Sequence, residues 1–166
     1  MSESMQILVW GAAVAAVVGV NLYNRSDDPD AAGLSMMLLI LWVLSNLLEG
    51  LYQPPDSMKI YPLMDLAAGL TAYLAWRTRK VAWKLGLAYL FVIQLAAHFS
   101  FWAPAFVAEL RGFPPVTGDF STYKIVLNVV FILQLILVGG VGVSHVASRI
   151  LAAVRASPLL SRHTRA

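Results

Sequence analysis

The chain contains no cysteine, which removes disulfide frameworks, thiolate metal sites, CxxC redox chemistry and cysteine nucleophiles from consideration. Charge is scarce as well. Only 13% of the 166 residues are Asp, Glu, Lys or Arg, against about 25% in an ordinary soluble domain. The short motifs that carry known chemistry are also missing: there is no GxxxxGK loop or GxGxxG turn to cradle phosphate, no HExxH for zinc, no GxSxG nucleophile and no EF-hand spacing.

What is present is apolar. Hydrophobic residues make up 59% of the chain and its mean hydropathy is +0.71. Five runs approach the roughly 20 apolar residues that a helix needs to cross about 30 Å of hydrocarbon: residues 5–23, 33–52, 60–76, 81–103 and 122–143. The breaks between them carry turn chemistry. Residues 24–30 are polar and acidic, Pro54 and Pro55 interrupt the second break, Thr78 to Lys80 form a tight basic turn, and Pro114, Pro115 and Gly118 fall in the fourth. The third run is the weakest, being short and opening with Pro62 and Asp65, although proline is tolerated in a first helical turn because its N–H has no intrahelical partner there.

The net charge of +3 is read as a topology signal, since basic residues gather on the cytoplasmic side of a membrane. Arg25, Arg77, Arg79, Lys80, Lys84, Arg149, Arg155, Arg162 and Arg165 fall on one side of a five-span arrangement, and Lys59, Arg111 and Lys124 on the other. The expectation is an all-α, polytopic bundle of five transmembrane helices, N-terminus out and C-terminus in. Residues 1–148 form the membrane domain, and residues 149–166 a basic cytoplasmic tail that is partly an interfacial helix on an anionic leaflet. That tail has no aromatic residue for base stacking, which argues against nucleic acid. The first run is expected to be a retained helix, because its flank holds Glu3 and no basic residue, whereas a secretory leader begins positive.

No internal repeat stands out, and an odd number of spans does not divide into two inverted halves. Small residues line up at Gly11, Ala15 and Gly19, at Ala68, Ala72 and Ala75, and at Gly140, Ser144 and Ser148. Such lines are expected where helices approach closely, within one subunit or, less favoured, between copies.

Polar groups inside the spans are the candidate functional residues, because each needs a partner, a hydrated cavity or the interface. At about 1.5 Å per residue, Glu49 lies about 6 Å below the outer boundary, and Asn46, Asp65, His98 and Asn128 about 9–11 Å below it. Helical phase sharpens the grouping. Trp42, Asn46, Glu49 and Gln53 share a stripe, Asp65 shares the face of Ala68 and Ala72, Gln94, His98 and Trp102 align, and Lys124 sits one turn from Asn128.

Three readings of the layer compete: a hydrogen-bonded belt that fixes helix register, a proton or cation path, and a metal site with oxygen and nitrogen ligands. The metal signal is the weakest, with one imidazole in the layer. Enzymatic chemistry is less favoured again, for want of a Ser, Lys or Arg at the same depth. Residues 104–121, with Trp102, Phe106, Phe113 and Phe120 around them, are read as an aromatic interfacial belt in preference to a lid. Gln94, Gln134, Trp10, Trp76, Trp83, Met36 and Met37 are read as packing or anchoring residues.

The functional expectation is transport or ion conduction through Asn46, Glu49, Asp65, His98 and Asn128 in a cell membrane, of bacterial inner-membrane type. A small ion or solute would be the ligand, the bilayer the main partner, and no cofactor is implied. The alternative is a non-enzymatic protein, either a holin-like pore former of phage type or an accessory subunit of a larger membrane complex or homo-oligomer.

Overall fold

The computed structural model describes residues 3–51, 60–112 and 120–156. Among them the chain forms five α-helices and no strand: α1 (Glu3–Tyr23), α2 (Pro29–Leu51), α3 (Tyr61–Thr78), α4 (Ala82–Leu110) and α5 (Phe120–Ala156). Three are long and apolar enough to cross a membrane: α2, α4 over Ala82–Ala108, and α5. The apolar part of α1, Ile7–Tyr23, is shorter, and the 18-residue α3 carries Asp65 and Arg77.

The helix ends follow local chemistry, and in three places they depart from the expected spans. α2 begins before Gly33 because Asp28 caps it, its Oδ1 accepting from the N–H groups of Asp30 and Ala31 at 3.1 Å each, with Pro29 in the first turn, where proline fits. α4 runs through Pro104 to Leu110, so the segment read as an interfacial loop from residue 104 is helical for its first two turns. Arg111 and Gly112 then turn the chain, Gly112 at φ 71°, a left-handed conformation that glycine takes without a Cβ penalty. α5 does not stop near Val143 but continues past Arg149 to Ala156. At 37 residues it is about 55 Å long, well beyond the thickness of a hydrocarbon core. Gln53, Pro54, Pro55, Lys59, Phe113, Pro114, Pro115, Gly118 and the last ten residues of the tail lie outside the described residues.

The helices pack in chain order around a ring, α1 on α2, α2 on α3, α3 on α4, α4 on α5 and α5 back on α1, with α2 also touching α5. Every helix contributes to the central core: Val14 and Val18, Leu34 and Leu38, Ala68 and Ala72, Leu87 and Phe91, Leu135 and Val138. The small face of α3 admits α4 so closely that a Cβ on Gly69 would stand 3.0 Å from Phe91 Cβ.

Against α1, α5 uses Gly139 and Gly142, not the expected line of Gly140, Ser144 and Ser148. A Cβ at Gly142 would lie 2.7 Å from Asn21 Oδ1, whereas one at Gly140 would meet nothing within 4 Å. Ser144 and Ser148 are exposed, and their hydroxyls bond back to their own helix at 2.7 and 2.8 Å. On α1 the buried stripe is Val14, Val18 and Asn21, and Ala15 and Gly19 face outward. The reason is phase: glycines one to three residues apart at 139, 140 and 142 offer two possible faces, and size alone does not choose between them. Asn21 and Asn24 close the contact, each amide donating across to α5, to the carbonyls of Val138 at 3.2 Å and Gly142 at 3.1 Å.

The distribution of polarity is inverted relative to a soluble protein. Asn21, Asn24, Ser35, Asp65, Lys84, Gln94, His98 and Gln134 are buried, while large apolar side chains such as Leu8, Leu47, Leu63, Leu70, Val92, Phe99 and Ile136 are exposed. Lys84, counted from sequence among the basic residues of the cytoplasmic side, is 1% exposed and pairs with Asp30. It is thus an internal tie between α4 and α2, joined at the same end of the bundle by Arg149–Asp27 at 2.5 Å.

Candidate functional site

At the opposite end of the bundle the apolar core gives way to a cavity of about 290 Å³ to which all five helices contribute. Alternation of helix direction accounts for the assembly. The last turns of α2, the first turn of α3, the middle of α4 and the first turns of α5 reach the same level, so Asn46, Glu49, Asp65, His98 and Asn128 all line one space. Exposed Glu49, Lys124 and Asn128 lie at its mouth and buried Asp65, His98 and Gln134 in its wall. A volume of this size holds on the order of ten waters at about 30 Å³ each.

Within the wall, three side chains from three helices form a hydrogen-bonded chain. His98 Nε2 stands 2.8 Å from Asp65 Oδ2, and His98 Nδ1 stands 2.6 Å from the Tyr123 hydroxyl. With a neutral imidazole and an ionised carboxylate one assignment satisfies both contacts: Nε2–H donates to Asp65, and the Tyr123 O–H donates to Nδ1. A second proton on the ring makes Nδ1 a donor to the tyrosine oxygen and frees that hydroxyl to donate elsewhere. The chain is therefore able to take up and pass a proton without moving a heavy atom.

Packing holds it in place. The Tyr123 ring stacks on Phe101 with centroids 4.4 Å apart, Tyr61 tilts against the imidazole at 6.3 Å, and the Tyr61 hydroxyl donates to the Ser45 carbonyl at 3.3 Å.

Deeper in the cavity Gln134 Nε2 donates to Gln94 Oε1 at 2.5 Å. One turn beyond this pair begins the apolar filling of Val14, Leu34, Ala72, Leu87 and Val138. The cavity thus runs from exposed Glu49, Lys124 and Asn128 to the buried Gln94–Gln134 pair, where the apolar core begins.

The five residues singled out from sequence share the cavity, but only Asp65 and His98 bond to each other. Asn46 turns its amide back to the Trp42 carbonyl at 2.7 Å. Among the described residues Glu49 and Asn128 have no hydrogen bond or ion pair. A belt of mutual hydrogen bonds is consequently not what surrounds them. Nor do the described residues contain a group of three or more His, Asp or Glu side chains placed to hold a metal ion.

Sequence reasoning missed Tyr61 and Tyr123, and it assigned Gln94 and Gln134 to packing. A signal existed. Tyr123, Leu127, Phe131 and Gln134 recur at the i, i+4, i+8, i+11 spacing of one helix face, so following Gln134 back along α5 leads to Tyr123.

Comparison with known proteins yields no matching family model, no matching curated protein and no matching solved structure. The class defined by fold and site is, among the described residues, an all-helical protein with three apolar, membrane-length helices and a cavity that carries polar and ionisable side chains. Its activity has to be inferred from the chemistry of that cavity.

Proposed function

We propose that the chain is a five-span membrane protein of a cell membrane that transports a small ion or solute with its polar cavity as the binding site. Movement is linked to protonation of Asp65 and His98, with the Tyr123 hydroxyl hydrogen-bonded to the imidazole. The observation that carries this reading is the hydrogen-bonded chain of Asp65, His98 and Tyr123, bordering a cavity that exposed Glu49 and Asn128 also line. Ionisable groups within a membrane bundle are expensive and are retained where ions or protons pass. The apolar core packed beyond the buried Gln94 and Gln134 favours a site alternately exposed to the two sides over a continuously open pore. In the proposed orientation the end bearing Arg25, Arg77, Arg79 and Lys80 faces the cytoplasm, which places the cavity mouth outside, and residues 149–166 form the cytoplasmic tail.

The test is proton movement in proteoliposomes loaded with a pH-sensitive dye and given an acid pulse. Wild type should acidify the lumen faster than empty vesicles, with a rate that depends on pH. Asp65→Asn should abolish the flux, and His98→Gln should remove its pH dependence. Flux equal in wild type, Asp65→Asn and empty vesicles would refute the proposal.

A second reading, an assembling pore former of holin type or a subunit of a larger membrane complex, is favoured by one observation: Gly19 and Gly140 have open space around them. Small residues facing outward suit a neighbouring helix. This reading predicts concentration-dependent leakage of a large dye such as carboxyfluorescein, indifferent to Asp65→Asn.

A further inference from the structure

We propose that the occupant of the cavity is a monovalent organic cation with an apolar body, an amine or quaternary ammonium. The proposal deepens the transport reading and rests on it for the use made of the site. The walls supply the argument. Trp10, Trp42, Phe91 and Phe131 line the cavity with Tyr61 and Tyr123, so aromatic rings from all five helices surround the space. The π faces of such rings attract cations, most effectively those that shed water easily.

Two carboxylates complete the character of the site. Asp65 is committed on one side to His98, whereas Glu49 has no hydrogen bond or ion pair among the described residues and is placed at the mouth to meet a charge entering from outside. An inorganic divalent ion fits poorly, because metal sites collect several oxygen or nitrogen ligands and no group of three such acidic or His side chains is found among the described residues. An organic anion fits poorly too. Among the described residues the one lysine lining the space, Lys124, holds its ammonium 4.8 Å above the Phe120 ring, and none of the described arginines lines it. The volume of about 290 Å³ lies at the small end of ligand sites, about 300–1,000 Å³.

The same groups make cation and proton compete. Among the described residues the charged and titratable side chains that line the cavity with Asp65 and His98 are Glu49 from α2, Tyr61 from α3, and Tyr123 and Lys124 from α5; α1 contributes Ile7 and Trp10, which do not titrate. With the imidazole neutral, two carboxylates stand against one ammonium, and the cavity attracts a cation. A second proton on the His98 ring, or one on Asp65, cancels that excess, and the cation is held less tightly. Binding is accordingly tighter at high pH and weaker at low pH.

The experiment is isothermal titration of the purified full chain in detergent micelles with benzyltrimethylammonium, benzyl alcohol and benzoate, at pH 8 and pH 5. The cation should bind saturably at pH 8, at least tenfold more tightly than the alcohol or the benzoate, and at least tenfold more weakly at pH 5. Glu49→Gln, at an exposed position that leaves the fold undisturbed, and Asp65→Asn should each weaken it about tenfold. Equal affinity for the cation and the alcohol, preference for benzoate, or unchanged cation binding in folded Glu49→Gln would overturn the proposal. Selective cation binding in a protein that moves no protons would uphold this occupant and refute the transport reading. Proton flux in a protein without cation selectivity would do the reverse.

Discussion

Replacing His98 by Phe removes both contacts of the imidazole while keeping a ring of similar volume, so the loss can be estimated from the bonds broken. His98 is 1% exposed and Asp65 8%, and water does not replace either contact freely. A hydrogen bond to a charged group contributes about 1.5–3 kcal/mol and a neutral one about 1 kcal/mol. Polar contacts between membrane helices are measured lower, about 0.6–1.7 kcal/mol. Together these bracket His98→Phe at about 2–3 kcal/mol of destabilisation, and Asp65→Asn, which keeps shape and loses charge, at about 1–2 kcal/mol. Because both changes break the same 2.8 Å contact, the double variant should lose about 1–2 kcal/mol less than the two losses added. The assay is reversible unfolding of the four proteins in mixed micelles, titrated with a denaturing detergent. Asn24→Leu combined with His98→Phe serves as a control from the far end of the bundle and should be additive. Additivity within about 0.3–0.5 kcal/mol for Asp65 and His98 as well would refute the coupled chain and leave two independent polar residues.

The α1–α5 face makes a sharp pair of predictions. Gly142→Ala places a Cβ 2.7 Å from Asn21 Oδ1 and 2.8 Å from Val20 Cγ1 and should destabilise by about 1–3 kcal/mol. Gly140→Ala meets nothing within 4 Å and should be neutral or stabilising by up to about 1 kcal/mol through helix propensity; melting temperatures in the reverse order would show that α1 packs on another face of α5. At the opposite end from the cavity, Lys84→Met leaves the Asp30 carboxylate without its buried ammonium and should lower stability by about 1–3 kcal/mol. Thermal unfolding of Lys84→Met with Asp30→Asn should recover part of that loss, and no recovery would remove the pair from the account of how α2 and α4 are joined.

Helix existence and the gathering of the polar layer were legible because both depend on local quantities, run length and depth along a helix. Depth along the helices placed Asp65 and His98 in one layer, and the phase shared with Ala68 and Ala72 turned Asp65 inward, where it is buried. What escaped depended on contacts between distant segments. Nothing in the neighbourhood of Lys84 distinguishes it from Arg79 and Lys80, and its burial follows only from Asp30, 54 residues away. Tyr123 was hidden by its neighbour Lys124, whose charge drew attention to the adjacent face of α5. The span in α5 was bounded near Val143 by membrane thickness and the tail beyond it was expected to be partly helical; nothing between Val143 and Ala156 breaks a helix, and α5 runs on to Ala156.

The central claim is a hydrated cavity opening on the outer side of a membrane bundle, and two neighbouring positions on α5 test it together with the orientation. Asn128 lines the cavity, while Val129, one residue on and at nearly the same depth, is 49% exposed on the outer surface of the bundle, where lipid would cover it. In this cysteine-free chain, Asn128→Cys in intact cells should react with a small, charged, membrane-impermeant thiol reagent added outside, and Val129→Cys should not. Equal reactivity at the two positions, or labelling of Asn128→Cys only when the reagent reaches the cytoplasmic side, would contradict the account.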